Sequence, residues 1–409
     1  MRKITIVGAG QAGLVLGTGL RKNGYDVTIV TNRTGEEVHS GSILSGQGMF
    51  NETLDIEREL GMNHWDNEYP KLNGIQFSVA DGTSNKAISW SSKFTKGHAN
   101  SIDQRLKMPI WMDEFEKIGG RLLIKDVTLA DLDAFAAESD LVLVASGKGD
   151  IVKMFERDSN KSTFDKPMRG LAMAYVKNPE TANQDFVGLR FNLVPGVGEA
   201  VFLPALTTSG LCDIFSFEAI PGGDMDRFNG KITDPEEHLG VMLSVLKKHL
   251  PWEAERYENA ELVDKNATLA GRFPPTIRKP IGTLPSGAIV MGLADAVCLN
   301  DPLTGQGSNN ATVAAKVYLD RILAHEDREF DANWMQGTFD KFWEYAKYVV
   351  EWTNMFLLPP PPHLLAIISA AESNPKIAAR IADGFSNPKN FFPWFMEEEA
   401  AEDYIKSFK

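Results

Sequence analysis

Residues 4–13, ITIVGAGQAG, give the clearest indication of how the chain folds. Its first apolar residues predict a short buried strand, and the apolar run that follows predicts a helix. The glycines between them have G-x-G-x-x-G spacing: Gly8 permits a tight turn, Gly10 lets a pyrophosphate approach the backbone, and Gly13 lets the helix pack on the strand. A second β-pattern at 25–30 completes a βαβ unit. We therefore expect a dinucleotide at the amino end of the first helix, where free N–H groups attract phosphate.

Composition argues against several other classes of protein. The chain has 409 residues, 43% of them hydrophobic, and a formal net charge of -13, which argues against nucleic acids and anionic membranes as partners. Its two cysteines, Cys212 and Cys298, form no C-x-x-C pair, so neither a zinc site nor a dithiol centre is predicted. The most apolar late stretch, 356–368, is interrupted by prolines, so no membrane span is predicted. We expect a cytoplasmic protein large enough for two domains that share one ligand.

The end of the second strand departs from the usual dinucleotide pattern. An aspartate or glutamate normally stands there to bind the adenosine ribose, but this chain has Thr31, Asn32 and Arg33. Asn32 can still hydrogen-bond a ribose hydroxyl. Arg33 can bind a 2′-phosphate, as in NADP sites, or lie over the adenine. The missing acid indicates modest affinity for the dinucleotide.

A second signature, far along the chain, favours FAD over NAD. Asp295 follows a predicted buried strand at 288–291, and a carboxylate at a strand end suits the hydroxyls of a ribityl chain. Gly305 and Gly307 then open a predicted helix at 307–323. The N–H groups and positive dipole of this helix suit the isoalloxazine edge that becomes negative on reduction.

The rest of the chain predicts a second sheet and a helical tail. Alternating β-patterns at 75–79 and 87–90, and four more between 170 and 218, predict an antiparallel sheet that roofs a substrate cavity. An aromatic stripe from Phe339 to Phe356 has helical spacing, which predicts core packing rather than cofactor contact. The predicted regions are an FAD-binding domain (1–74, 98–166 and 276–330), a substrate domain (75–97 and 167–275) and a C-terminal helical region (331–409).

Four segments together resemble a known family. They are GAGQAG at 8–13, SIDQRL at 101–106, LVLVASGKG at 141–149 and GLADAVCLNDPLTGQGSNN at 292–310. Over nearly its whole length the chain resembles flavin monooxygenases of the hydroxybenzoate-hydroxylase fold, and more closely the oxygenase component of two-component styrene and indole monooxygenases. The resemblance implies an α/β fold: a Rossmann-like FAD-binding domain of the glutathione-reductase type, an antiparallel substrate sheet and C-terminal helices.

The resemblance also implies that FADH₂ comes from a separate flavin reductase. The segment at 147–152, GKGDIV, lacks the Asp-Gly sequence that single-component relatives use to bind NADPH, and the sequence has no second dinucleotide fingerprint. The implied reaction is epoxidation: reduced FAD and O₂ form a flavin C4a-(hydro)peroxide, which transfers oxygen to indole, giving indoxyl and indigo, or to a styrene-like aryl alkene. Two alternatives stay open, a single-component NAD(P)H-dependent aromatic hydroxylase and a non-catalytic flavin-binding protein.

The candidate site residues include no metal ligand and no catalytic acid or base beyond the flavin itself. In a glycine- and serine-rich stretch at 36–51, predicted as a loop, Ser45, Gln47 and Met49 resemble the indole-preferring type, with Ala99 as a fourth position. The expected substrate contacts are Ser45, Gln47, Met49, Ala99 and Pro302. The expected FAD contacts, Val127 among them by resemblance alone, are Gly8, Gly10, Gln11, Ala12, Gly13, Asn32, Arg33, Arg105, Val127, Asp295, Gly305, Gly307 and Ser308.

Overall fold

A computed structural model describes residues 1–67, 71–147, 149–177, 186–228, 232 and 234–408 of the chain. In this part of the chain the strands are, in order, β1 Lys3–Val7, β2 Asp26–Thr31, β3 Gly74–Ala80, β4 Lys86–Lys93, β5 Arg121–Ile124, β6 Leu141–Val144, β7 Gly170–Lys177, β8 Leu189–Val194, β9 Gly198–Thr207, β10 Gly210–Ala219, β11 Glu261–Leu262, β12 Thr268–Gly271, β13 Thr276–Ile277, β14 Ile281–Thr283, β15 Ile289–Gly292 and β16 Cys298–Leu299. The α-helices are α1 Gln11–Lys22, α2 Gly35–His39, α3 Asn51–Glu59, α4 Gln104–Lys117, α5 Leu129–Glu138, α6 Pro235–His249, α7 Pro251–Ala254, α8 Gly307–Leu323, α9 Ala332–Phe356, α10 Pro362–Ser373, α11 Pro375–Gly384 and α12 Glu398–Lys406.

The first sheet has the strand order β14-β15-β6-β1-β2-β5. β1 is parallel to both of its neighbours, with Ile4 opposite Val27 on β2 and Leu141 on β6. β1 lies inside the sheet. The chain adds β2 and β5 on one side of β1, and β6, β15 and β14 on the other. The strand order therefore changes direction at β1, and this switch point lies at the carboxyl ends of the central strands. Open α/β sheets bind ligands at such a point. The βαβ unit predicted from residues 4–30 is confirmed.

The second sheet has the order β11-β7-β10-β9-β8-β3-β4, and β12 also pairs with β7. The expectation of an antiparallel sheet is wrong for one pair, because β3 and β8 are parallel, with Ile75 opposite Leu189. A parallel pair needs a long connection, and the chain between these two strands passes through the first sheet before it returns. The other neighbouring strands are antiparallel. The second sheet is therefore mixed.

Two helices, α2 and α5, begin with a sequence signal that the sequence analysis did not use. α2 lies in the stretch predicted as a loop at 36–51 and begins with a capping box, in which Thr34 and Glu37 accept each other's backbone N–H groups. α5 begins in the same way with Thr128 and Asp131. Each helix has only one fully buried residue, Val38 in α2 and Leu132 in α5, so apolar periodicity gives little signal. The T-x-x-E and T-x-x-D spacings are the signals that predict them.

The C-terminal helices contribute to both apolar cores: the first half of α9 packs with the first sheet, and the end of α9 and the later helices pack with the second sheet. Phe342 and Trp352, from the aromatic stripe in α9, are 0% and 1% exposed, so the core assignment of this stripe is confirmed. Phe391, Trp394 and Phe395, which follow α11, are buried in the same apolar core as the second sheet. The predicted division of the chain into three regions stays a prediction. Across the ranges described above, no helix has both the length and the apolar character that a membrane crossing requires.

Candidate functional site

The turn after β1 is shaped by two glycines. Gly8 has a φ of +120°, and its N–H donates to the Val30 carbonyl at 2.8 Å, which ties the turn to β2. A Cβ on Gly13 would lie 1.9 Å from the Gly8 carbonyl oxygen. Since that neighbour is backbone, only glycine lets α1 begin this close to the turn.

The amino end of α1 is open. Gly10 is its N-cap residue in an extended conformation, and no side chain in the described ranges caps the helix. A Cβ on Gly10 would meet no described atom within 4 Å beyond its chain neighbours. The first N–H groups of an α-helix have no acceptor within the helix. In α1 these are the N–H groups of Gln11, Ala12 and Gly13. An uncapped helix start beside open space can bind an anion.

The amino end of α8 is open in the same way. Gly305, just before the helix, has a left-handed φ of +66°. Within the described part of the chain, no side chain caps α8, and a Cβ on Gly307 would meet nothing within 4 Å. Ser308 follows in the first turn and is half-buried. The structure therefore has a second site at which N–H groups can meet a polar edge.

The two helices run parallel, so both open ends lie on the same side of the molecule. Gln11 Nε2, at the start of α1, donates to Thr312 Oγ1 on α8 at 2.9 Å. Two turns further on, a Cβ on Gly19 would lie 2.5 Å from Leu319 Cδ2. Because Thr312 is in the second turn of α8, this helix begins roughly 7 Å farther out than α1, at 1.5 Å per residue. The offset suits an extended ligand that touches both ends.

Four more of the predicted FAD contacts lie at the carboxyl edge of the first sheet. Asn32 and Arg33 follow β2, Val127 follows β5 and Asp295 follows β15. Asp295 is exposed between buried neighbours. The backbone after β6 comes so close that a Cβ on Gly147 would lie 2.7 Å from Asp295 Cβ. These residues therefore share one edge with the open start of α1.

Arg105 is placed differently. Its side chain is 2% exposed and forms ion pairs with Asp103 at 2.8 Å and with Asp264 at 3.0 Å. The Gln11 side chain also faces protein, because its Nε2 donates to Glu57 Oε1 at 2.7 Å. A role for Arg105 in FAD binding, and for Gln11 through its backbone N–H, stays a prediction.

The donor set at this edge fits FAD. A pyrophosphate needs N–H donors and a positive field, which the uncapped start of α1 offers beside Gly10. Ribityl hydroxyls need an acceptor, which the exposed carboxylate of Asp295 provides. The isoalloxazine edge needs donors, and the open start of α8 at Gly307 offers them. A nucleotide without a flavin would leave the second helix end unused.

The loop between α2 and α3, which carries Ser45, Gln47 and Met49 and is called the substrate loop below, is held between the second sheet and α8. A Cβ on Gly46 would lie 3.2 Å from Met173 Cε on β7, and one on Gly48 would lie 3.8 Å from Leu189 Cδ2 on β8. On the other side, Asn309 in the first turn of α8 donates from Nδ2 to the Gly48 carbonyl at 2.7 Å. The loop is thus fixed beside the open end of α8.

The structure brings four of the five substrate candidates together. Ser45, Gln47 and Met49 share this loop, and Met49 exchanges backbone hydrogen bonds with Asn100 at 2.8 and 2.9 Å, which places Ala99 next to it. The fifth, Pro302, begins the short 3₁₀ turn that leads into α8, the helix to which the loop is bonded.

Gln47 differs from its neighbours in the loop. It is 2% exposed, and neither its amide oxygen nor its amide nitrogen has a hydrogen-bond partner among the described residues. In contrast, Ser45 Oγ accepts from Gln104 Nε2 at 2.5 Å. A buried polar group without a partner costs about 1–3 kcal/mol. A ligand that hydrogen-bonds the Gln47 amide would recover this free energy.

An apolar cavity of about 40 Å³ lies between the second sheet and the C-terminal helices. It is lined by Ile75, Phe77, Trp90, Phe191, Asn192, Leu193, Glu199, Leu303, Thr304, Trp352, Phe356, Ile368, Ile381, Phe385, Phe391 and Phe395. Among the described residues, none of the five predicted substrate contacts lines it. Leu303 and Thr304 directly follow Pro302, so the cavity runs inward from the start of α8. It is smaller than the roughly 150 Å³ cavity known to bind benzene, so an aryl ligand would have to move the lining side chains.

Sequence analysis predicted a cavity under the second sheet, but not that the aromatic stripe of α9 would line one. The helical spacing that includes Trp352 and Phe356 predicted a core face, and both side chains do pack in the core. Periodicity identifies which face of a helix is buried. It does not distinguish a filled core from one that leaves a gap between side chains.

A buried charged cluster adjoins this cavity, and sequence analysis missed it. Glu199, which lines the cavity, forms a two-bond ion pair with Arg169, Oε2 to Nε at 2.8 Å and Oε1 to Nη2 at 3.0 Å. Glu218 lies opposite Glu199 across the β9–β10 pair, and both Glu218 and Asp301 are 2% exposed. Burial raises the pKa of Asp301 to about 6 and, with the neighbouring carboxylates, raises the pKa of Glu218 well above its ordinary value. Of these residues, only Asp301 lies in a segment that the sequence analysis used for the resemblance, the one at 292–310.

Two protein families match the chain. Residues 1–128 match a family described as "FAD binding domain", and residues 147–256 match one described as "Styrene monooxygenase A putative substrate binding domain". A protein named styrene monooxygenase StyA from Pseudomonas fluorescens is 31% identical over 100% of this chain and 98% of its own length. A protein of the same name from a Pseudomonas species is 30% identical with the same coverage.

Solved structures of flavoproteins share the fold. A flavoprotein/dehydrogenase from Cytophaga hutchinsonii has a TM-score of 0.70 and 13% identity, covering 99% of each chain. A flavin-dependent brominase has a TM-score of 0.66 and 13% identity, covering 99% of this chain and 98% of its own. The predicted FAD-binding Rossmann-like α/β fold is confirmed, with the mixed second sheet as the one difference. FAD is confirmed as the cofactor by the family matches and the full-length relatives.

Proposed function

Because the chain belongs to the styrene monooxygenase family of flavin monooxygenases, we propose that it is the oxygenase component of a two-component system that epoxidises indole and styrene-like aryl alkenes. In this proposal a separate flavin reductase supplies FADH₂, and O₂ supplies the transferred oxygen atom. The monooxygenase class follows from the family. The preference for indole, the reductase and the roles of individual residues are the proposal.

The observation that supports an indole substrate is the buried amide of Gln47. Indole carries an N–H that must find an acceptor when it leaves water, or lose about 1–3 kcal/mol. Gln47 Oε1 is a buried acceptor without a partner in the described ranges, whereas Ser45 Oγ already accepts from Gln104. Met49 is apolar and flexible, so a second aryl alkene fits beside it. Residues 40–51 contain no Arg or Lys to pair with a carboxylated aromatic.

FAD binding is proposed along the carboxyl edge of the first sheet. The pyrophosphate would lie at Gly10 and the first N–H groups of α1, with Asp295 accepting from the ribityl hydroxyls. The isoalloxazine edge would meet the N–H groups at Gly307 and Ser308. When bound and reduced, the flavin supplies the electrons that activate O₂ and transfers one oxygen atom to the substrate.

The chain's own part in the reaction is to orient the substrate and keep water out. Asn309 holds the substrate loop to α8 through the Gly48 carbonyl, and the apolar side chains of the second sheet cover the loop from the other side. Excluding water in this way limits unproductive side reactions of the activated oxygen. Orientation by Gln47 would present the ring double bond of indole, rather than its N–H, to the flavin.

A separate reductase is supported by the missing acidic residue at the end of β2. Asn32 and Arg33 stand at the end of β2 in place of an acid, and neither forms a side-chain hydrogen bond or an ion pair with the rest of the described chain. The Gly196–Gly198 turn joins β8 to β9, two antiparallel strands, so it does not form a second dinucleotide site there. A flavin that arrives reduced and leaves oxidised needs such an exchangeable site.

The proposal is tested by supplying reducing equivalents in two ways. The purified protein with FAD, indole and NADH or NADPH should oxidise neither nucleotide and form no indigo. Addition of any active flavin reductase should start indigo formation, and styrene should be epoxidised in a parallel reaction. Oxidation of a pyridine nucleotide by the protein alone would contradict the two-component proposal. Oxidation of 4-hydroxybenzoate, but of neither indole nor styrene, would contradict the substrate class.

A further inference from the structure

The charged cluster beside the cavity contains more negative than positive charge. Glu199, Glu218 and Asp301 surround one guanidinium, that of Arg169, so full ionisation would leave two uncompensated negative charges. Arg169 is 5% exposed and is already bonded to Glu199 and to the Phe356 carbonyl at 3.0 Å. Burying an uncompensated charge is so costly that such groups keep a proton instead. The cluster therefore holds at least one proton at neutral pH.

Glu218 is the group that fits this proton best. Glu199 has its carboxylate satisfied by Arg169, and Asp301 Oδ1 accepts from the Leu303 N–H at 3.1 Å. Glu218 Oε2 has no hydrogen-bond partner among the described residues. The charged groups that act on Glu218 are Asp301, Glu199 and Arg169, and the two carboxylates favour its protonated form.

A side-chain path leads from Glu218 to the substrate loop. Ser216 lies two residues before Glu218 on β10, so both side chains are on the same face of the sheet. Ser216 Oγ is 3.5 Å from Glu218 Oε1, and Ser216 is half-buried. Ser216 is opposite Met173 on β7, and Met173 Cε lies 3.2 Å from where a Cβ on Gly46 would be. Ser216 thus stands between the buried acid and the loop.

We propose that Glu218 is the proton source of the oxygenation site and acts through Ser216. The inference rests on the proposed function: when the reduced flavin reacts as its anion, FADH⁻, the oxygen atom of O₂ that is not transferred needs one further proton to leave as water. In the proposed step, the oxygen atom that is not transferred to the substrate takes the hydroxyl proton of Ser216. At the same time, Ser216 Oγ takes the proton from Glu218. One O–H bond breaks and one forms at each transfer, the electrons come from the reduced flavin, and solvent later reprotonates Glu218.

The proton itself is tested on the flavin-free protein. Infrared spectroscopy at pH 7 should show the C=O band of a buried carboxylic acid in the wild type and in Ser216→Ala, and not in Glu218→Gln. The pH dependence of unfolding gives a second readout. A group whose pKa is raised by folding binds more protons in the folded state, so it lowers stability as pH rises from the ordinary glutamate pKa to the folded one. Glu218→Gln should show a smaller loss of stability with rising pH, because Asp301, whose pKa burial also raises, still contributes.

Glu253→Gln is the matched control. Glu253 is buried on the opposite face of the sheet, where its Oε2 accepts from Arg190 Nε at 3.2 Å. This variant should keep both the carboxylic acid band and the loss of stability with rising pH. A band that survives in Glu218→Gln would overturn the assignment of the proton to Glu218.

The transfer is tested with chemically reduced FAD, O₂ and indole. Glu218→Gln and Ser216→Ala should each slow product formation roughly 100-fold, the lower end of what a positioned acid contributes, although Ser216→Ala keeps the infrared band. If the wild type forms product and both variants match its rate, the inference is wrong and the proposed function stands. If the wild type forms no product, the proposed function is wrong, whatever the infrared band shows.

Discussion

Replacing Gly10 by alanine should separate flavin binding from folding. The backbone of Gly10, with φ of -95° and ψ of -168°, is one that any residue adopts, and a Cβ there would meet no described atom within 4 Å. Alanine restricts the unfolded chain, which stabilises the fold by about 0.4–1 kcal/mol. Alanine is also a poorer N-cap than glycine by a similar amount. We therefore expect the free energy of unfolding to change by less than about 1 kcal/mol.

Flavin binding should suffer much more in the same variant. The new Cβ would occupy the space where the pyrophosphate approaches the start of α1. Hydrogen bonds to a charged group contribute about 1.5–3 kcal/mol each, so the loss of one of them weakens binding roughly 10- to 100-fold. Anaerobic titration with photoreduced FAD measures the affinity, and urea unfolding of the same preparation measures stability.

Gly13→Ala is the contrasting variant. Its Cβ would lie 1.9 Å from the Gly8 carbonyl oxygen, so α1 must shift away from the turn. Overpacking of this kind costs about 1–3 kcal/mol, and both stability and flavin affinity should fall. A folded Gly10→Ala protein with wild-type affinity for FADH₂ would refute the placement of the pyrophosphate beside Gly10.

Three further predictions concern the ribityl acceptor, the substrate amide and the response to acid. Asp295→Ala should fold but bind FADH₂ more weakly than the wild type, and the affinity of Asp295→Asn should lie between the two. Wild-type affinity in both variants would contradict the placement of the ribityl chain at Asp295. Gln47→Leu should lower indole turnover more than styrene turnover, whereas equal losses would show that Gln47 does not recognise the N–H. The hydrogen bonds and charge of Arg58, with a smaller effect of His98, lower the pKa of Asp66 to about 2, although burial opposes them. The Asp66 carboxylate therefore stabilises the fold fully above the ordinary aspartate pKa, and this stabilisation is lost as pH falls through about 2. Asp66→Asn should flatten acid unfolding between about pH 4 and 2, measured by circular dichroism.

The first sheet was predictable from sequence because its signals are local. Gly8, Gly10 and Gly13 lie within six residues of one another and sit between a strand and a helix that periodicity identifies. The start of α8 at Gly307 was predicted for the same reason, and the observed helix begins there. Each of these features depends on backbone geometry that a few neighbouring residues determine.

Other features depend on contacts between distant parts of the chain. The parallel pairing of β3 with β8 joins residues more than one hundred positions apart, and no local pattern specifies its direction. The ion pairs of Arg105 with Asp103 and Asp264 depend in part on a residue 159 positions away. The cluster around Glu218 likewise forms only when β9, β10 and the turn before α8 come together. Such sites can be recognised only once the tertiary structure is known.

The most direct test of the proposed oxygenase needs neither a reductase nor a pyridine nucleotide. The purified protein is mixed anaerobically with dithionite-reduced FAD and indole and then exposed to O₂. Indoxyl, seen as indigo, should form in proportion to the reduced flavin supplied, and no product should form with oxidised FAD. Reoxidation of bound flavin without any indoxyl, while product appears only with NADH or NADPH, would show that the protein is not the oxygenase component of a two-component system.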